Sequence, residues 1–197
     1  LTKAVEQADR EGRQLRVLNV GCGPAVEIQR FIRTHPLADR CEFRLVDFNE
    51  ETLNYTKSKI DEAIKDSGRK PKVEFVHQSV NSLLKQAAQR KGTIPTETFD
   101  FVYCAGLFDY LSDRVCSRML ELFYRWAKPN GTVLVTNVHP SNTGLYIMEY
   151  LMEWHLIYRN ERELLNLAPK LGRHEVYGEE TGQNIILEIN KTISGDG

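Results

Sequence analysis

The chain has 197 residues, 41% of them hydrophobic and 27% charged, enough for one well-buried domain and short of two full ones. A formal net charge of −1 gives no global pull towards nucleic acid or anionic lipid, so neither is expected as a partner. Cys22, Cys41, Cys104 and Cys116 form no Cys-x-x-Cys pair, and no secretory signal or long apolar span is present, which points to reduced thiols in a cytoplasmic protein without a metal site or membrane segment.

Thr2 to Gln14 is polar with Ala4, Val5 and Ala8 on one side, the pattern of a short helix. Arg16 to Val20 is an apolar run that suits a strand buried on both faces of a parallel sheet. Gly21-Cys22-Gly23-Pro24 follows, with two glycines for an abrupt turn and a proline able to open a helix. That helix is predicted from Ala25 to Thr34, with Ile28, Phe31 and Ile32 facing the sheet and Pro36 marking its end. A strand, a glycine turn and a helix start with free N–H groups are the means of holding a nucleotide-like cofactor. A dinucleotide fingerprint wants a third glycine where Val26 stands, which disfavours NAD.

Phe43 to Asn49 reads as a second strand ending in Asp47, whose carboxylate can accept hydrogen bonds from both hydroxyls of a ribose lying across the glycine turn. Asn49 is a predicted N-cap, with Glu50 and Glu51 at the positive end of a helix that carries Leu53, Ile60 and Ile64 inward and stops near Ser67-Gly68. Val73 to Val76 is a third strand, Ser79 to Arg90 a helix, Lys91 to Thr98 a loop, and Phe99 to Cys104 a fourth strand. Ser112 begins an amphipathic helix with Val115, Met119, Leu122, Phe123 and Trp126 on its core face. Pro129-Asn130-Gly131 is a predicted turn before a fifth strand, Thr132 to Val138. Leu145 to His155 is expected to be helical, carrying Tyr146, Met148, Tyr150, Met152 and Trp154. Asn160 and Glu163 have capping-box spacing for a helix ending near Ala168-Pro169. His174 to Tyr177 and Asn184 to Asn190 read as a closing hairpin around Glu179 to Gly182. The fold class is therefore α/β, a doubly wound, mostly parallel seven-stranded sheet with a C-terminal antiparallel hairpin, and its ligand crevice is expected at the carboxyl ends of the strands.

The glycine turn, the acid ending strand two, Phe99-Asp100-Phe101-Val102, Lys128-Pro129-Asn130-Gly131 and the terminal hairpin, taken in order over nearly the whole chain, resemble a class I S-adenosylmethionine-dependent methyltransferase. Ala25 is a departure, since many members carry a third glycine there. More narrowly, Tyr103 to Leu111, Asn137 to Asn142 and Gly182-Gln183-Asn184 are similar to bacterial proteins for biosynthesis of the extracellular factor 3-hydroxypalmitic acid methyl ester, a quorum-sensing signal. That likeness implies methyl transfer to the carboxylate of a 3-hydroxy fatty acid. Some relatives carry a cyclic-nucleotide-binding domain ahead of the methyltransferase, which suits a chain that begins at Leu1 and is expected to be excised from a longer one, residues 1–197 forming a single domain.

The resemblance implies S-adenosylmethionine as cofactor. Gly21, Cys22, Gly23 and Pro24 would pass under its methionine part, and Asp47 would take the ribose hydroxyls. Ser79 would lie near the adenine amino group, and Cys104 and Ala105 would lie at the cofactor end of strand four. Phe48 and Val80 would wall the adenine, although simple core packing explains both equally well. His139, Asp109 and Tyr110 are the catalytic candidates; Asp109 has the alternative of capping the helix at Ser112, and His155 that of packing or holding substrate. A carboxylate acceptor, ionised at neutral pH, needs no general base, so none of the three is expected to be an obligatory one. The acceptor is expected to be small and largely apolar, with a homodimer or an N-terminal regulatory domain as possible partners. Another small-molecule O- or N-methyltransferase and a non-catalytic cofactor-binding module are the alternatives.

Overall fold

A computed structural model describes residues 1–89, 94–142 and 156–192. The predicted helix over Leu145 to His155, with its aromatic load, lies outside the described residues. The elements are α1 (Thr2–Arg10), β1 (Leu15–Val20), α2 (Val26–Thr34), β2 (Cys41–Asp47), α3 (Glu50–Ser67), β3 (Lys72–His77), α4 (Val80–Ala88), β4 (Phe99–Cys104), α5 (Asp113–Trp126), β5 (Ala127–Val138), α6 (Glu161–Asn166), β6 (Arg173–Gly178) and β7 (Asn184–Asn190). Among the described residues no helix is long and apolar enough to cross a membrane.

The strands form one seven-stranded sheet in the order β3-β2-β1-β4-β5-β7-β6. The first five run parallel, while β7 is antiparallel to both β5 and β6, which is the expected hairpin. The strand order reverses between β1 and β4, so the crevice that such a sheet leaves for a ligand opens there, beyond their carboxyl ends.

Alternation along each strand feeds two separate cores. Val17 and Tyr103 pack with Val5, Ile28, Phe31, Ile32 and Ile60 under α1, α2 and α3. Leu18, Val20, Val102 and Cys104 point the other way, against Met119, Phe123 and Trp126 of α5, with α4 and α6 alongside. Burying each such large side chain contributes roughly 1.5–3 kcal/mol, so the α5 stripe is a principal fastening of its layer.

Several helix ends follow their chemistry. The Asn49 side chain accepts the Thr52 N–H, Gly68 closes α3 in the left-handed conformation at φ 68°, and Asn160 with Glu163 completes a capping box. Other boundaries differ from expectation. Helix α2 begins at Val26, because Ala25 takes φ 48° as its N-cap, and Pro24 stays outside the helix. Ser79 is the N-cap of α4 rather than its first residue. Ser112 precedes α5 without a side-chain cap. Pro129 to Gly131 is not a turn between elements. Ala127 already pairs with Phe99, and Thr132 pairs with Phe101, so these residues form an irregularity inside β5, with Asn130 at φ 63°. Gly131 fits there because a Cβ would stand 2.8 Å from the Lys128 carbonyl oxygen.

Candidate active site

The glycine turn is built by its neighbours before any ligand is considered. The Val46 carbonyl at the end of β2 accepts the N–H groups of Gly21 at 2.8 Å and Cys22 at 3.0 Å. Gly23 donates its N–H to Asp47 Oδ2 at 2.9 Å, and its carbonyl accepts Thr56 Oγ1 at 2.7 Å. The N–H groups of Gly21, Cys22 and Gly23 are thus spent on β2, and the turn presents bare backbone. Gly21 needs its hydrogen: at φ 70°, an added Cβ would lie 3.0 Å from Leu107 Cδ2.

A cleft of about 610 Å³ opens over this turn, at the carboxyl ends of β1, β2 and β4. Asp47 is buried in its floor. Its Oδ1 accepts the Asn49 N–H at 3.0 Å while Oδ2 holds Gly23, so both oxygens are fixed and each keeps a lone pair for a ligand hydroxyl. Phe48 stands at the rim with 65% of its surface exposed, and its carbonyl is tied to His77 Nε2 at 2.8 Å. Tyr110, 50% exposed, stands on the far rim, with Val80, Leu107, Leu111 and Val115 giving apolar walls. The exposure of Phe48 removes core packing as the account of its position.

The other predicted site residues divide plainly. Gly21, Gly23, Asp47, Phe48, Ser79, Val80, Ala105 and Tyr110 line the cleft; Cys22, Pro24, Cys104, Asp109 and His139 do not. The Cys22 thiol is buried and points back to the Gly23 carbonyl, and burial, reinforced by Asp47 and Glu27, pushes its pKa up to about 12. Cys104 is wholly buried, its thiol raised further by desolvation, because strand alternation turns it into the α5 core. All four cysteines are free.

Asp109 is buried and its Oδ1 accepts the Val138 N–H at 2.7 Å, so it bolts the loop after β4 to the end of β5 instead of capping α5. Desolvation raises its pKa, against the Val138 N–H and Arg159, which lower it. His139 Nδ1 accepts the Ser141 N–H at 3.1 Å, and its Nε2 faces Glu161 at 3.5 Å. With Nδ1 accepting, the neutral ring carries its proton on Nε2, and His139 presents no free base to the cleft.

Two further residues shape the site without a sequence motif. Gln78 lines the cleft and is buried; its amide nitrogen donates to Gln86 Oε1 at 2.7 Å, while its own Oε1 has no hydrogen-bond partner among the described residues. An adenine amino group is the kind of donor this oxygen lacks. Arg159 is buried beneath the wall: Nη1 donates to the Phe108 carbonyl at 2.9 Å and to Asn137 Oδ1 at 2.7 Å, and Nη2 donates to the Leu111 carbonyl at 2.7 Å. It clamps the segment that carries Tyr110 and Leu111.

A carboxylate able to take two ribose hydroxyls, an exposed ring beside it and an orphaned buried acceptor suit an adenosine. Residues 17–131, more than half of the chain, match the family described as "Methyltransferase domain". The chain belongs to this methyltransferase family. It is an S-adenosylmethionine-dependent methyltransferase domain, with S-adenosylmethionine as cofactor. Among curated proteins it is 24% identical over 121 residues to the uncharacterized protein RP028 of Rickettsia prowazekii, covering 61% of this chain and 42% of that one. Its fold is similar to the magnesium protoporphyrin IX methyltransferase of Synechocystis PCC 6803, solved with S-adenosylhomocysteine, at TM-score 0.62 and 15% identity, covering 97% of this chain and 81% of that one. It is also similar to the S-adenosylmethionine-dependent methyltransferase SibL, at TM-score 0.64 and 19% identity, covering 92% and 52%. The chain therefore spans about two fifths of the curated relative and about half of SibL.

Proposed function

We propose that this methyltransferase domain acts on a small, largely apolar acceptor, and that the acceptor is the carboxylate of a 3-hydroxy fatty acid, giving a methyl ester. The observation that carries the cofactor half of this reading is Asp47, held by Gly23 and Asn49 in the floor of the cleft with the exposed Phe48 ring beside it. The acceptor half is supported by the three stretches that resemble the methyl ester family. Those stretches meet in space: Asp109 accepts the Val138 N–H, and His139 donates its own N–H to the Gln183 carbonyl at 2.9 Å.

Held by Asp47 and the glycine turn, S-adenosylmethionine would supply a sulfonium-activated methyl group for transfer to an acceptor oxygen. The chain has to orient and desolvate the two reactants. Asp47 fixes the ribose, the glycine turn lets the cofactor approach the backbone, and the apolar walls exclude water. A carboxylate has no proton to remove, which accords with Asp109 and His139 being engaged away from the cleft.

Calorimetry with S-adenosylhomocysteine, followed by mass spectrometry of products from 3-hydroxyhexadecanoate, tests the two halves separately. Binding with methyl ester formation is the expected result. Binding without any ester would overturn the acceptor, and absence of binding would overturn the assignment of the cleft.

A further inference from the structure

A methyl transfer needs two ligands whose reacting atoms come within about 3–3.5 Å, and the cleft over Asp47 houses one of them. A second cavity, about 540 Å³, lies on the opposite face of the sheet, between α1, α2 and β4. It shares one lining residue with the cleft, Ala105, at the carboxyl end of β4. Two cavities reaching the same small residue from opposite faces provide for a donor and an acceptor meeting in line. The floor of the second cavity is apolar: Phe101 and Tyr103 stack at 5.2 Å between ring centroids, with Leu134 and Phe31 beside them.

The rest of the lining is mixed, with Thr2, Arg30, Thr34 and His35, and it carries one carboxylate, Glu27. Tyr103 Oη donates to Glu27 Oε1 at 2.6 Å, and Asn19 Nδ2 donates to the same oxygen at 3.3 Å. Burial and the neighbouring Glu27 hold the Tyr103 hydroxyl well above its usual pKa, so it remains a donor. Both donors take Oε1, which leaves Oε2 of this cavity-lining carboxylate without a partner among the described residues. Arg30, one turn on along α2, lines the same cavity and brings a positive charge to it.

We propose that the cavity between α1, α2 and β4 is the acceptor site, and that Glu27, positioned by Tyr103 and Asn19, is a specificity-determining residue. Its Oε2 accepts a hydrogen bond from a hydroxyl carried by an otherwise apolar acceptor, close to the atom that is methylated. This rests on the methyltransferase reading but not on ester formation, because acceptor binding can be measured without turnover.

The test compares native protein with Glu27→Leu, Glu27→Gln and Tyr103→Phe. S-adenosylhomocysteine affinity is measured first; then 3-hydroxyhexadecanoate and hexadecanoate are titrated into the loaded protein, and methyl ester formation is followed in parallel. S-adenosylhomocysteine affinity is expected to stay within about threefold in all variants. Native protein should bind the hydroxylated acid at least about tenfold more tightly than the plain one, the usual scale for a hydrogen bond to a charged group. Glu27→Leu should erase that preference, Glu27→Gln retain part of it, and Tyr103→Phe reduce it. The preference with no ester formed would leave this assignment standing and overturn only the methylated atom. Loss of S-adenosylhomocysteine binding in Glu27→Leu would hand the residue to the cofactor site and overturn the proposal. So would a preference that survives in Glu27→Leu, or a native protein that binds the two acids equally or neither.

Discussion

Replacing Asp47 by Asn probes the cofactor assignment with almost no change of shape. The native carboxylate uses Oδ2 for the Gly23 N–H and Oδ1 for the Asn49 N–H, at 2.9 and 3.0 Å. Asparagine has only one acceptor oxygen, so one of those N–H groups faces an NH₂ and loses its partner. An orphaned buried donor costs about 1–3 kcal/mol, which at roughly 2–4 °C per kcal/mol lowers the Tm of a domain of this size by about 2–12 °C. The ribose loses more. One of its two hydroxyls meets a donor, and the other keeps only a neutral acceptor where a hydrogen bond to a charged group is worth about 1.5–3 kcal/mol. Together these predict S-adenosylhomocysteine binding weaker by about 10² to 10³-fold. Calorimetry on the folded variant, below its melting temperature, reads this directly. Affinity within threefold of native would show that the carboxylate does not hold the ribose, and the placement of adenosine over β2 would have to be abandoned.

Arg159→Met should cost about 3–5 kcal/mol, because it strips a buried guanidinium from the Phe108 and Leu111 carbonyls and from Asn137. Asp113→Asn, at the solvent-facing end of the same clamp, should cost less than about 1 kcal/mol; urea melts of the pair giving equal losses would refute this division. Burial raises the Asp109 pKa, so the folded state binds its proton more tightly than the unfolded chain, and ionisation destabilises the fold as pH rises above the unfolded value. Asp109→Asn can keep the Val138 bond without that charge. It should be at least as stable as native at pH 7, lose the advantage as pH falls through the carboxylate range, and retain turnover; abolished turnover with intact cofactor binding would make Asp109 a base after all. With the Cys22 thiol at a pKa of about 12, only about one molecule in ten thousand is thiolate at pH 8, and Cys41 and Cys116 are raised similarly. Native protein should therefore resist a thiol reagent that modifies all four cysteines in denaturant, and rapid labelling of the native state would contradict the burial described.

What the sequence disclosed depended on how local each signal was. Phe99 to Cys104 and Asn184 to Asn190 are legible as strands because alternation is written in adjacent residues, and the Asn49 cap because its partner Thr52 is three residues away. Asp47 was legible because a strand end must deliver its last side chain to the ligand edge. Arg159 was not: its partners at Phe108, Leu111 and Asn137 come from other elements, and a single arginine has no pattern to betray it. Gln78 was passed over for Ser79 for the same reason, since only the fold reveals that its Oε1 is buried and unpartnered beside the cleft. The start of β5 misled because Pro-Asn-Gly is turn chemistry, and the pairing of Ala127 with Phe99 depends on a neighbouring strand.

Strand β4 accounts for both the success and the error at the site. Its alternation sends Val102 and Cys104 into the α5 core and Phe101 and Tyr103 to the α1–α2 face. Proximity in sequence to the ligand edge therefore makes Cys104 look like a site residue when its side chain is turned inward. The same alternation carries the Tyr103 hydroxyl to Glu27, on the face away from Asp47. Beyond Cys104 the strand ends, and Ala105, with the smallest side chain after glycine, reaches both cavities without filling either. A larger residue at that position would crowd both cavities at once, so the chemistry proposed for this chain depends as much on the small residue ending β4 as on the charged one ending β2.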